Sequence, residues 1–210
     1  YPTDVTFNDL GHATYTVNHK GEKIAQVELS IPGMHNVYNS LSAFALATCY
    51  GVATEAIVKG IKNFTGTDRR FQFKGQFNGV NVIDDYAHHP TEIQATINSA
   101  RGTKLNKLWI MFQPHTYTRT YNHLDDFAKV LSEADHVILL DIYASREKDT
   151  GLVSSKDLRD KIEALGGVVT YCPTFNDAEK YAVDNCRKGD MLITMGAGDV
   201  YKIGEKLVSK

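Results

Sequence analysis

The sequence predicts an α/β protein: a mostly parallel sheet with helices on both faces and an antiparallel edge strand, preceded by a smaller α+β piece. Three observations carry that prediction. From Val80 onward, short apolar runs alternate strictly with helical patterns, and strands joined through helices form parallel sheets. Before Thr65 the rhythm is instead a two-residue alternation followed by a helical period. Between the two lies Thr65-Gly66-Thr67-Asp68-Arg69-Arg70, a polar, turn-forming stretch that reads as a linker.

Taken in order, Ala13–Val17 and Lys23–Leu29 alternate around Asn18-His19-Lys20-Gly21 and predict a hairpin. Over Asn36–Cys49, the positions Val37, Leu41, Phe44, Ala45 and Thr48 recur at helical spacing, so an amphipathic helix is expected. Thr54 followed by Glu55 is a candidate cap for a short second helix carrying Ile57, Val58 and Ile61. A hairpin and two helices make a small core, so this piece reads as the tail of a domain. Past the linker, Phe71–Phe77 and Val80–Asp84 form a second predicted hairpin through Asn78-Gly79. Further strands are expected at Leu108–Phe112, Val137–Leu140, Val168–Tyr171 and Met191–Met195. Helices are expected near Thr91–Ala100, around Leu124, Phe127, Ala128 and Leu131, and near Asp177–Cys186 and Val200–Val208. Another covers Ser155–Leu165, with Leu158, Ile162 and Leu165 apolar and Gly166-Gly167 as its stop.

Composition sets outer limits on function. At 210 residues, 42% hydrophobic and 23% charged, the chain has ordinary globular composition, which excludes disordered, collagen-like and fibrous classes. A chain of this length buries roughly 70% of its unfolded surface and needs no disulfide or metal staple. The 23 Lys and Arg against 25 Asp and Glu leave a net charge of −2, with no basic excess to point to nucleic acid or an anionic membrane. No run approaches the ~18 apolar residues of a membrane span, and no signal peptide is read at the start. Cys49, Cys172 and Cys186 are odd in number and lack a CxxC pair. They read as small buried residues of a reducing, cytoplasmic protein. The chain opens on Tyr1 rather than Met and is read as a piece of a longer protein.

Ligands of open α/β sheets bind outside the carboxyl ends of the strands. That rule selects Asp84–His89, Gln113–Arg119, Asp141–Thr150 and Gly196–Asp199, four segments expected to crowd one rim. Asp84–His89, with His115 and His123, has a metal-site look but matches no familiar zinc spacing, so no metal site is assigned. One of Asp84 and Asp85 is expected to cap the next helix, with Pro90 at its first position; that leaves Tyr86 and His88 unexplained. Arg119 suits a planar grip on carboxylate or phosphate, and its plainer reading is a solvated Arg at a helix start. Gly196-Ala197-Gly198 is either a nucleotide-binding turn or a tight strand-to-helix turn. There is no G-x-x-x-x-G-K-[ST] phosphate loop and no G-x-S-x-G elbow. Asn36 and Asn39 offer two amides on one face, for a cap or for a planar base edge.

Six segments in this order resemble the Mur ligase family, the ATP-dependent amide ligases of peptidoglycan synthesis. They are PGMHNVYNSLSAFALA (residues 32–47), DRRF (68–71), DDYAHHPTEI (84–93), FQPHTYTRT (112–120), DIYASREKDTG (141–151) and MGAGDVY (195–201). The resemblance covers essentially the whole chain. It implies that residues 1–67 are the C-terminal portion of a central ATP-binding domain and 68–210 a complete C-terminal, Rossmann-like domain for the incoming amino acid. A UDP-binding domain, a phosphate loop and the main Mg²⁺ ligands have no counterpart here, so the chain is not expected to be active alone.

The implied chemistry joins L-alanine to UDP-N-acetylmuramate in building the cell wall that underlies cell shape and division. The muramate carboxylate attacks the γ-phosphate of ATP, and the amine of L-alanine then displaces phosphate from the acyl phosphate. Such phosphoryl transfer rests on alignment and charge neutralisation. The resemblance implies that His35, Asn36 and Asn39 hold adenine, Arg70 reaches the phosphates and Asp85 binds ribose hydroxyls. His115 and Arg119 would clamp the alanine carboxylate, and Tyr86 and His88 would orient the amine, with His88 as proton acceptor. The family pattern often has Arg where Thr116 stands, which implies a weaker clamp. Two other readings share these motifs: a sister ligase that recycles a tripeptide onto the same UDP-sugar, and a non-catalytic ligand-binding remnant. A nucleotide-dependent oxidoreductase is disfavoured because its glycine fingerprint is incomplete and misplaced.

Overall fold

A computed structural model describes residues 1–209. The chain divides into two compact units, one of Tyr1–Thr67 with Asn98–Lys104, the other of Asp68–Ile97 and the chain from Leu105 onward.

The first unit is an antiparallel sheet in the order β1 (Pro2–Phe7), β2 (His12–His19), β3 (Glu22–Pro32), followed by α1 (Met34–Cys49) and α2 (Thr54–Asn63). The expected hairpin is β2–β3, closed by Lys20 and Gly21, both at positive φ as a tight two-residue turn requires. β1 was not expected. It has no buried residue to mark an alternation, and its pairing slips between Thr3 and Thr6. Ala13, Tyr15, Val17, Val27 and Leu29 form the core with Val37, Phe44 and Ile57 from the helices.

Four local expectations are corrected in this unit. α1 is capped by Gly33 at φ 102°, not by Asn36, and α2 begins after Ala53, so Thr54 is helical and no side chain caps it. The buried face of α1 runs through Val37, Leu41, Phe44 and Ala47, while Ala45 and Thr48 are exposed. The Thr48 hydroxyl turns back to the Phe44 carbonyl at 2.9 Å. Cys49, expected to be buried, is exposed; it lies about a third of a turn round the helix from Val37.

The second unit is the predicted α/β sheet, in the order β4-β5-β9-β6-β7-β8. Its strands are β4 (Gln72–Phe77), β5 (Val80–Asp85), β6 (Leu108–Phe112), β7 (His136–Leu139), β8 (Val169–Tyr171) and β9 (Met191–Met195). Only β4 runs antiparallel, joined to β5 by Asn78 and Gly79, both at positive φ. The helices are α3 (Pro90–Arg101), α4 (Tyr117–Asn122), α5 (Leu124–Leu131), α6 (Ser155–Ala164), α7 (Phe175–Asn185) and α8 (Tyr201–Val208).

Strand alternation sends Val80, Val82, Trp109, Met111, Ile138, Leu140 and Leu192 against Ala178, Ala182, Ile203 and Leu207 of α7 and α8. On the opposite face Asp85 meets Thr96 of α3, and Phe112 packs on Phe127 of α5 at 5.6 Å. Because both faces are covered, β6 and β9 are buried along their whole lengths. α6 ends at Gly166, φ 81°, as its sequence predicts, but Leu165 lies beyond the apolar face and is exposed. α4 is an extra helix within a segment expected to be loop.

Candidate active site

β5 ends in Asp84-Asp85, and alternation turns the two carboxylates to opposite faces of the sheet. Asp84, 1% exposed, accepts from Arg69 Nε at 2.9 Å and from Thr194 Oγ1 at 2.8 Å. The Arg69 guanidinium also donates to the Gly196 carbonyl at 2.7 Å, with the Tyr86 and Tyr201 ring centroids at 4.8 and 4.6 Å. Asp85 accepts from Phe71 N, Ala87 N and Thr96 Oγ1 at 3.0, 2.8 and 3.0 Å. Burial pushes the Asp85 pKa up, and these hydrogen bonds pull against that shift.

Both carboxylates thus hold the junction segment Asp68–Phe71, where Arg69 and Phe71 sit at positive φ. This is why neither caps α3. His89 does so instead, its Nδ1 accepting from Thr91 N at 3.3 Å ahead of Pro90, while Glu92 reaches back to His88 N at 3.1 Å.

Tyr86 N donates to the Arg69 carbonyl at 2.7 Å, and the Tyr86 ring meets the edge of His88 at 5.4 Å. His88 Nδ1 lies 2.9 Å from the Tyr86 carbonyl, which can only accept. His88 therefore carries its proton on Nδ1, and Nε2 keeps a lone pair. Its ring stands 6.2 Å from that of His115.

At His115 the tautomer is opposite. Its Nδ1 is 3.2 Å from Arg119 Nη1, which can only donate, so neutral His115 is protonated at Nε2. Burial first, then the charges of Arg119 and His88, lower its pKa, with Glu147 acting the other way. The two neighbouring imidazoles thus differ in kind: a neutral His115 presents a donor and a neutral His88 an acceptor.

The loop after β7 closes on this pair. Tyr143 stacks on His115 at 5.5 Å, Tyr143 N donates to the Pro114 carbonyl at 2.8 Å, and Thr116 N donates to the Tyr143 carbonyl at 2.9 Å. Arg119 lies within α4, whose cap Thr116 accepts from Arg119 N at 3.4 Å. The glycines of the last turn are explained by close approach. A Cβ on Gly196 would sit 2.6 Å from the Gln113 carbonyl, and one on Gly198 2.6 Å from Gln113 Oε1. Packing against the end of β6 therefore accounts for the turn without a nucleotide.

Arg70 is exposed, 3.9 Å from Glu92 and 5.9 Å from the Tyr86 centroid. In the first unit, Asn36 Nδ2 donates to the Pro32 carbonyl at 2.7 Å and Asn39 Nδ2 donates to Asn36 Oδ1 at 3.1 Å. That chain leaves the Asn39 carbonyl oxygen and an amide hydrogen for a planar donor–acceptor edge. His35, beside them, is exposed. Among the described residues no group of three His, Cys, Asp or Glu side chains is placed to hold a metal ion.

The model of a Mur ligase domain, the glutamate ligase domain, matches residues 69–198. The chain belongs to the Mur ligase family. It is 52% identical over 206 residues to the UDP-N-acetylmuramate–L-alanine ligase of Lachnospira eligens, covering 98% of this chain and 45% of that protein. The UDP-N-acetylmuramate–alanine ligase of Thermotoga maritima superposes over 95% of this chain and 43% of its own, with TM-score 0.81 and 27% identity. The murein peptide ligase of Psychrobacter arcticus does so over 96% and 42%, with TM-score 0.65 and 27% identity. The chain therefore spans under half the length of these relatives.

Within this Mur ligase rim, Tyr86, His88, His115 and Arg119 are brought together. Arg70 joins them through Tyr86 and through Glu92, which accepts from His88 N, and Asp85 is turned inward to Thr96. Sequence reasoning overlooked Arg69, whose signal was its place beside Arg70 in the same DRRF motif. Tyr143 and Glu147 were inside a named rim segment, but nothing in the sequence says which of its residues face His115 and Arg119.

Proposed function

We propose that this chain is the C-terminal part of an ATP-dependent ligase that joins L-alanine to UDP-N-acetylmuramate, working in the cytoplasm. The observation that supports this reading most is the paired rim His115–Arg119 and His88, in a chain so similar to a protein named for that reaction. In this reading residues 1–67 end the ATP-binding domain and 68–210 form the amino-acid-binding domain.

The acceptor needs its carboxylate gripped and its amine uncharged. Arg119 and the Nε2–H of His115 are donors for the carboxylate. His88 Nε2 is the proton acceptor, and Tyr86, whose carbonyl fixes the His88 tautomer and whose ring borders it, orients the pair. The muramate carboxylate oxygen bonds to the γ-phosphorus of ATP as the bond to ADP breaks. The amine nitrogen then attacks the acyl carbon, phosphate leaves, and the amine proton passes to His88. Arg70 serves the phosphates by charge. In the first unit, His35, Asn36 and Asn39 serve the adenine edge. Asp85 contributes less directly than by binding ribose: it accepts from Phe71 N and so fixes the residue next to Arg70.

The test follows phosphate release by the complete ligase with ATP, Mg²⁺ and UDP-N-acetylmuramate, comparing L-alanine with the tripeptide L-Ala-γ-D-Glu-diamino acid. Alanine-driven release is expected. Release with tripeptide alone would replace this reading by the recycling one, which the likeness to the murein peptide ligase keeps as the second reading. Arg119→Ala is expected to raise the alanine KM roughly 10- to 100-fold, as for a lost charge-assisted hydrogen bond, and to leave the ATP KM nearly unchanged. Equal rises in both would remove Arg119 from the acceptor clamp.

A further inference from the structure

α4 is only six residues long, and so short a helix has little stability of its own. Its position is therefore set by what binds its free amides. Thr116 supplies one acceptor, to Arg119 N. The other comes from across the rim: Glu147 Oε2 accepts from Thr118 N at 2.9 Å. That bond, above all, holds the Glu147 carboxyl below the usual range, so it is charged at neutral pH.

The same loop carries Tyr143, stacked on His115 and hydrogen-bonded on either side of it through Pro114 and Thr116. A turn from Ala144 O to Glu147 N links Tyr143 to Glu147. The loop therefore grips both members of the Arg119–His115 pair, one by its ring and one through the helix that bears it.

We propose that Glu147 is a positioning residue for the acceptor clamp, holding Arg119 in register with His115 through the first turn of α4. The proposal rests on the reading of Arg119 and His115 as that clamp. Glu147 acts through Thr118 and touches neither substrate nor phosphate. Its loss should weaken acceptor binding and leave nucleotide binding alone. An amide in its place keeps one oxygen to accept from Thr118 N and should recover part of the effect.

The experiment measures KM for L-alanine and for ATP in the complete ligase carrying Glu147→Ala, Glu147→Gln or, as an exposed neighbour, Lys148→Ala. Glu147→Ala is expected to raise the alanine KM about tenfold, as for a lost helix cap, with the ATP KM within about twofold. Glu147→Gln should fall between it and the parent, and Lys148→Ala should match the parent. An unchanged alanine KM in Glu147→Ala, or equal rises for alanine and ATP, would overturn the positioning role. If Glu147→Ala does not fold, Glu147→Gln decides: a parental alanine KM together with a raised ATP KM would overturn it equally. Failure of the parent enzyme to use alanine at all would instead strike the underlying functional reading.

Discussion

The two units bury their chains differently. In the second, β6 and β9 are covered on both faces and every residue in them is buried. In the first, β3 shows water most of one face, and only Val27 and Leu29 of its eleven residues are buried. A sheet covered on both faces admits along its strands only polar side chains that are hydrogen-bonded, such as Thr194, so most collect where strands end. The rim of the second unit is the outcome: Asp84 and Asp85 end a strand, and Tyr86, His88, His115, Arg119 and Tyr143 follow the carboxyl end of one. In the first unit the polar groups of interest, Asn36 and Asn39, lie instead along the exposed side of a helix.

The same truncation in both units tests this contrast most strongly. Phe112→Ala removes a ring that is fully buried between β6 and α5, and should cost about 5 kcal/mol; Phe44→Ala, at the one-sided core, should cost about 3 kcal/mol because that site can collapse more easily. Urea unfolding followed by circular dichroism measures both. Equal costs would break the comparison.

The next effect concerns ion pairs. Arg69→Met leaves Asp84 charged and buried with only Thr194 as partner, and should cost about 3 kcal/mol. Lys62→Met breaks the exposed pair with Glu28 at 2.7 Å in the first unit, and should change stability by less than about 1 kcal/mol. The single Trp109, in β6, reports the first variant by fluorescence. A loss as small as that of Lys62→Met would mean that Asp84 finds water once Arg69 is gone.

The smallest expected effect is a pH dependence. Burial lowers the pKa of His115 and His136 in the second unit and of His12 in the first. The unfolded chain takes up these protons near pH 6.5 and the folded one only lower. Their contribution to stability is therefore complete above pH 6.5 and declines as pH falls below it. Urea midpoints at pH 7.5 and 5.5 should show that decline, and His136→Gln should make it shallower. An equal slope in the variant would move the titration to other groups.

Much of the second unit was legible because its strands are continuous apolar runs bounded by turn residues. Leu108–Phe112 and Met191–Met195 are strands to the residue, and the others differ at their ends by about one. β1 was not legible, since an edge strand with no fully buried residue, and with half-buried Pro2, Thr3 and Val5, shows no alternation. α4 was too short to display a period. The helix caps failed for a common reason: Gly33, Ala53 and His89 took positions that the sequence offered to Asn36, Thr54 and the Asp pair, because those side chains were drawn into other bonds or into the helix. At the site, the sequence named Tyr86, His88, His115 and Arg119, each of a type suited to its chemistry. It could not separate Arg69 from Arg70, since adjacent identical residues differ only in which way the backbone turns them.

Periodicity and turn chemistry, both local in the chain, were enough to determine the α/β class, the parallel sheet with its antiparallel edge and the rim to which the candidate site residues were assigned. Only the tertiary structure decided that Asp85 faces inward, that Arg69 lies between two tyrosines, that His88 and His115 hold opposite tautomers and that Glu147 caps α4. Arg69 depends on Gly196 and Thr118 on Glu147, far along the chain, while the tautomers of His88 and His115 depend on the directions in which the folded backbone turns the Tyr86 carbonyl and Arg119. A hydrogen bond is fixed by distance and direction in space, and local sequence pattern carries neither across such a separation.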